Sequence, residues 1–147
     1  SMDINLSCVG DLHIDNHHLV EDIGICFGKA FREALGNCAG IERFSSLQMP
    51  MDEALISLAL DINGRGNPIL NFALPSERVG SFETETLREF LTSFCNNGMI
   101  TLHVNMLYGT NTHHIIEGIF KGLAVCLGKS VQITKSLDTI PSTKGLI

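Results

Sequence analysis

The spacing of apolar residues changes period several times along the chain, and each change predicts an element. Ile4, Leu6, Cys8, Leu12 and Ile14 share one parity, and Asn5, Ser7, Asp11, His13 and Asp15 share the other. That two-residue period predicts a half-buried strand with an irregularity at Gly10. Leu19, Ile23, Cys26, Phe27, Ala30, Phe31 and Ala34 then follow the spacing of an amphipathic helix that should stop near Gly36 and Asn37. In the middle, "ALISLALDI" and "PILNFAL" flank the turn-rich "NGRGNP", which predicts two strands joined as a hairpin. Phe82, Leu87, Phe90, Leu91 and Phe94 predict a helix ending near "NNG". Ile100, Leu102, Val104 and Met106 alternate with Thr101, His103 and Asn105 as another half-buried strand. Ile116, Ile119, Phe120, Leu123 and Leu127 mark a last amphipathic helix, ending near Gly128 before the tail "TIPSTKGLI".

One unit occurs twice in this order. A strand, a polar turn, His-His-x-x-Glu, an apolar helix and a glycine are found around His17–Glu21 and again around His113–Glu117. The pattern suggests a duplication: residues 1–40 as the remaining part of a first repeat, and residues 41–147 as a second, complete repeat with a C-terminal tail. The alternation of strands and helices predicts an α/β (α+β) fold.

The repeated motif carries the candidate chemistry. Residues at i and i+4 of a helix lie about 5–6 Å apart on one face, so His17 with Glu21, or His113 with Glu117, can address one metal ion. Successive residues are about 100° apart around the axis, so His18 and His114 point to a different ion. Ligands in two directions suit a dinuclear site, or two sites shared between subunits. Mixed imidazole and carboxylate donors fit Mn, Fe, Zn or Ni. A single His-His near a helix start is an ordinary accident; two copies with Glu at the same offset are not. His13 and His103 fall on the polar sides of predicted strands and read as solvated or hydrogen-bonded histidines.

Composition narrows the partners. The 147 residues suffice for one compact domain, or two small halves sharing a core. With 44% apolar and 18% charged residues, and no apolar run near the roughly 20 residues of a spanning helix, neither disorder nor a membrane location is expected. A formal charge of −6 without a Lys/Arg cluster argues against nucleic acid. Cys8, Cys26, Cys38, Cys95 and Cys126 are scattered, with no C-x-x-C, and read as reduced core thiols, hence a cytoplasmic location, or a plastid in a plant. The sparse cations include Arg43 before a strand, Arg65 in the central turn, Arg78 before a helix, Lys121 one turn after Glu117, and Lys144 in "STKG". Singly each is a surface charge; together, beside a metal site, they would suit a phosphate.

The segments "GDLHIDNHHLVEDIGICFGKA", "MPMDEALISLALDINGR", "RVGSFETETLREF", "ITLHVNMLYGTNTHHIIEGIFKGLA" and "IPSTKG" together resemble the imidazoleglycerol-phosphate dehydratase family, in order and over nearly the whole chain. The resemblance implies duplicated ferredoxin-like halves, like the second domain of ribosomal protein S5, with helices on one side of the sheets and the first half truncated. It implies a large octahedral homo-oligomer of twenty-four subunits built from trimers, and a small-molecule phosphate substrate. It implies a lyase of histidine biosynthesis that turns imidazole glycerol phosphate into imidazole acetol phosphate. Two Mn2+ per site, or other divalent ions, would hold the substrate ring as an imidazolate that accepts charge as the proton on the adjacent carbon leaves.

Metal ligands would map onto His17, His18, Glu21, His113, His114 and Glu117, with a further position on Glu89, where the family more often has histidine. Glu21 or Glu117 would shuttle the proton. Substrate contacts would map onto Arg43, Arg65, Lys121, Ser142, Thr143 and Lys144. Family members also have a further N-terminal stretch, with opening strands and a histidine-bearing helix, which this chain is expected to lack. The alternative reading is therefore a catalytically inactive C-terminal fragment acting only in metal binding or assembly. A different dinuclear hydrolase is a third reading, supported by the ligands alone.

Overall fold

The computed structural model describes residues 3–147. Three helices and one four-stranded sheet make up the mixed α/β fold: α1 (His17–Leu35), β1 (Phe44–Met51), β2 (Ala54–Ile62), β3 (Asn67–Asn71), the small ribbon β4 (Arg78–Val79) and β5 (Phe82–Glu83), α2 (Thr86–Gly98), β6 (Ile100–Tyr108) and α3 (Thr112–Ser130). The sheet order is β1-β2-β6-β3. β2 is antiparallel to both β1 and β6, while β3 runs parallel to β6. The β3–α2–β6 stretch is thus a crossover joining neighbouring parallel strands through a helix, as that connection requires.

Burial follows the two-residue period. On β2, Ala54, Ile56, Leu58, Leu60 and Ile62 are buried beside Ile100, Leu102 and Val104 of β6. α2 contributes Leu87, Leu91, Phe94 and Cys95 to this core, and α3 contributes Ile115, Ile119, Leu123, Cys126 and Leu127. Each fully buried Leu or Ile is worth about 1.5–3 kcal/mol, so this one face supplies most of the driving force. Gly118 and Gly122 let α3 descend onto the sheet: a Cβ at Gly122 would lie 2.3 Å from Leu58 Cδ1. The opposite face of the sheet carries Leu55, Ser57, Ala59 and Asp61 of β2 and the exposed His103, as its polar parity predicts.

α1 packs on α2 through small residues. A Cβ at Gly24 would lie 2.8 Å from the Phe90 carbonyl, and one at Gly28 would lie 2.7 Å from that of Phe94. Phe27 stacks on Phe94 with ring centroids 5.0 Å apart. Because the contacts advance together along both helices, α1 and α2 run parallel.

Three expectations change. Residues 4–14 form no strand; the stretch is irregular, with a turn at 12–14, and Ile4, Leu6, Leu12 and Ile14 are exposed. A strand needs a ladder partner, and among the described residues none lies alongside it. β2 and β3 are not a hairpin, because β6 lies between them. The four residues between them are long enough to step over one strand, and Asn63 Nδ2 fastens that step by donating to Thr101 Oγ1 at 2.7 Å at the start of β6. Cys38, Cys95 and Cys126 are buried as expected, whereas Cys8 and Cys26 are exposed. Cys26 lies on the outer side of α1, where apolar spacing alone overstates burial. The strand after Arg43 is β1, whose "SSLQMPM" carries little apolar signal because it is an edge strand. No helix among the described residues is long and apolar enough to cross a membrane. The first of the expected repeats begins with two residues outside the described range.

Candidate metal and phosphate site

Two side chains hold the start of α3, one from the residue before the helix and one from a turn of the sheet. Asn111, in extended conformation, caps the helix by accepting from the His113 and His114 amides at 2.9 and 3.3 Å. Glu53, in the turn between β1 and β2, accepts from the Thr110 and Asn111 amides with one oxygen, at 3.0 and 2.7 Å. Its other oxygen lies 2.6 Å from His114 Nδ1. The bond to His114, then the Asn111 and Thr110 amides, hold the Glu53 carboxyl down to about 2. A carboxylate has no proton to give, so His114 donates from Nδ1 and turns Nε2 toward Asp52. Asp52 Oδ2 lies 3.3 Å from that Nε2. The hydrogen bond to Glu53, with the charges of Glu53, Asp52 and Glu117, raises the His114 pKa. One helical turn on, Glu117 places one oxygen 3.4 Å from His113 Nε2 and the other 2.7 Å from Lys121 Nζ. The Lys121 ammonium is the main cause of its lowered pKa.

The start of α1 resembles this in outline. Asp15 accepts from the His17 amide at 2.8 Å, and Asp11 Oδ2 lies 2.9 Å from His18 Nδ1, raising the His18 pKa and lowering its own. His17 and Glu21 form no ion pair among the described residues, unlike His113 and Glu117. Glu89 is half-buried in the first turn of α2. The parallel register of α1 and α2 puts it at the level of the His17–Glu21 turn.

The donor set fits a borderline divalent ion. Ligands at bond lengths near 2.1 Å on adjacent corners of a coordination sphere stand about 3 Å apart. The His113–Glu117 separation is close to that, and Nε2 of His114, which faces Asp52 Oδ2 at 3.3 Å, is the ring nitrogen left clear of the Glu53 bond. Yet no group of three or more His, Cys, Asp or Glu gathers into a metal centre among the described residues. Among the described residues the two histidine pairs do not gather into one cluster.

The second feature is an open cleft of about 780 Å³ lined by Arg43, Arg65, Lys135, Ser142, Thr143 and Lys144, among others. It brings together five of the six expected substrate contacts. Lys121 is the exception, lying beside Glu117 on α3. Arg43 adopts a left-handed φ of +78° and grips Asp61 with two bonds, 2.7 and 3.2 Å, while Nη1 donates to the Pro141 carbonyl at 2.7 Å. Its guanidinium thereby ties the C-terminal tail to β2. Ser142 Oγ accepts from the Lys144 amide at 3.2 Å, and Gly145 closes the turn with φ +71°. Such a turn, among cations, is suited to an anion.

A model of the family described as imidazoleglycerol-phosphate dehydratase matches residues 1–127. The chain belongs to the imidazoleglycerol-phosphate dehydratase family. It is 50% identical to the Oceanobacillus iheyensis dehydratase over 98% of its own length and 74% of the relative's. It is also 50% identical to that of Caldanaerobacter subterraneus, over 99% and 75%. The Staphylococcus aureus dehydratase crystal structure superposes with a TM-score of 0.82 at 37% identity, covering 87% of this chain and 72% of that one. The Pyrococcus furiosus structure gives 0.78 at 34%, covering 90% and 72%. The fold, the family and its class, a dehydrating lyase of histidine biosynthesis, are thereby established.

Within this dehydratase-family chain, three residues beside the motif histidines escaped sequence reasoning: Glu53, Asp52 and Asp11. Asp61, the partner of Arg43, is a fourth. Each acts on a residue far along the chain or across a turn, so no spacing rule marks it. The recurrence of a carboxylate behind the second histidine of both pairs is the signal that a comparison of the two units offers.

Proposed function

We propose that the chain dehydrates imidazole glycerol phosphate to imidazole acetol phosphate with divalent ions, Mn2+ foremost, held by His17, His18, Glu21, Glu89, His113, His114 and Glu117. The start of α3 carries this reading: His113 paired with Glu117 at 3.4 Å, and His114 backed by Glu53 at 2.6 Å. When bound, the ions supply the Lewis acidity that lets an imidazole ring take on imidazolate character and accept charge. Glu117, or Glu21 in the other half-site, takes the proton from the carbon beside the ring and returns it to the departing hydroxyl. Glu117 meets the substrate as a carboxylate, with one oxygen held by the Lys121 ammonium at 2.7 Å. Arg65, Lys144, Ser142 and Thr143 hold the phosphate in the cleft, with Arg43 fixing the tail that carries the last three. Lys121 approaches the substrate from α3.

The two histidine pairs do not gather into one cluster among the described residues, which supports a working site shared between copies in a large homo-oligomer built from trimers. The half-sites belong to two repeats, residues 1–40 and 41–147. Metal content by mass spectrometry, with turnover of imidazole glycerol phosphate by this chain and by a version extended at its N-terminus to the relatives' full length, tests the reading. Bound Mn2+ with turnover in the extended version is the expected result. Metal-free protein that turns over would overturn the metal site, and metal-loaded but inactive extended protein would favour an assembly module.

A further inference from the structure

We infer that Glu53 is a positioning residue: it holds His114 through Nδ1 so that the ring offers Nε2 to a divalent cation. This rests on the metal reading of the second histidine pair. Both Glu53 oxygens are committed. One accepts from the Thr110 and Asn111 amides, and the other meets His114 Nδ1 at 2.6 Å. The turn bearing Glu53 is itself constrained, since Asp52 adopts φ +48° and β1 and β2 pair up to Met51 and Ala54 on either side of it. The sheet therefore sets the azimuth of a ring that lies on another element. Asp11 stands in the same relation to His18, at 2.9 Å on Nδ1, in the other unit. Two separate half-sites thus use a carboxylate behind the same ring nitrogen, the arrangement that fixes tautomer and raises basicity in histidine ligands.

A purely structural role, holding the loop before α3, predicts something different. Glu53→Gln separates the two. The two amides need an acceptor, so the glutamine carbonyl must face them. Its NH2 is then left facing His114 and must donate to Nδ1. The ring proton consequently moves to Nε2, where it blocks coordination, while the loop keeps its bonds.

The test is 15N solid-state NMR of histidine-labelled protein above the pH of histidine titration, with His114 assigned by difference against His114→Gln, together with Mn2+ titration followed by electron paramagnetic resonance. Wild type is expected to carry the His114 proton on Nδ1 and Glu53→Gln on Nε2. The Mn2+ Kd in the variant should rise about 10–100-fold at little change in melting temperature. A wild-type proton on Nε2 overturns the inference, and so does a variant with unchanged tautomer and Kd. If wild type binds no Mn2+, the metal reading fails separately, and the tautomer switch alone decides whether Glu53 positions the ring.

Discussion

At the start of α3 the Asn111 side chain accepts two amides and Glu53 reaches in from a turn of the sheet, whereas at the start of α1 the matching Asn16 makes no cap bond and adopts helical angles. The carboxylate behind His114 lies 61 positions away in sequence; the one behind His18 lies 7 positions away, on an exposed and irregular stretch. α3 rests on the sheet, and α1 rests on another helix. One motif, used twice, is therefore held by tertiary structure in one copy and by its own flanking turn in the other. A motif can be repeated in sequence without its support being repeated.

The largest expected effect separates ligand from support. His114→Gln should lower turnover of the extended enzyme by at least about 100-fold and reduce bound Mn2+, measured by steady-state kinetics and metal analysis. Retained turnover would mean that the second pair is not a ligand set.

Next come the two helix seats. Gly28→Ala on α1 meets backbone at 2.7 Å from the Phe94 carbonyl, and Gly122→Ala on α3 meets the tip of Leu58. Backbone cannot swing aside, so Gly28→Ala should cost about 3 kcal/mol in urea unfolding and Gly122→Ala about 1–2 kcal/mol. The reverse order would show that α1 is the softer seat.

Capping should differ in the same spirit. Asn111→Ala is expected to lose about 1–2 kcal/mol, and Asn16→Ala only a few tenths, since Asn16 accepts no amide. Equal losses in thermal unfolding would erase the contrast between the two starts.

The smallest effect is in pH. His114 and His18 have raised pKa values, so their contribution is full below the ordinary 6.5 and is lost as pH rises through the folded value. Glu53 is lowered from 4.5 to about 2, so its contribution is full above 4.5 and fades as pH falls toward 2. The stability gap between wild type and Glu53→Ala should thus be widest between roughly pH 4.5 and 6.5 and narrow on both sides. The gap for Asp11→Ala should be smaller throughout that range, because Asp11 grips one ring and no flanking amide.

α1, α2, β6 and α3 were legible from periodicity because each buries one face. The irregular segment at 4–14 was not, since alternation indicates a strand only where a neighbouring strand completes the ladder. The false hairpin has a similar origin: a short turn-rich connector looks alike whether it folds back or steps over β6. At the site, His17, His18, Glu21, His113, His114 and Glu117 announced themselves by local spacing. Asp11, Asp52, Glu53 and Asp61 did not, because single acidic residues in turns and strands are common.

By itself, then, the sequence determined the family, the helical registers and the residue types able to bind metal and phosphate, because these follow from local chemistry repeated along the chain. Only the tertiary structure decided that β6 lies between β2 and β3, that Arg43, Arg65 and the tail share one cleft, and that Glu53 stands behind His114. Those outcomes depend on which backbone groups find partners across the sheet, and that pairing is settled by the packing of the whole chain rather than by any one segment.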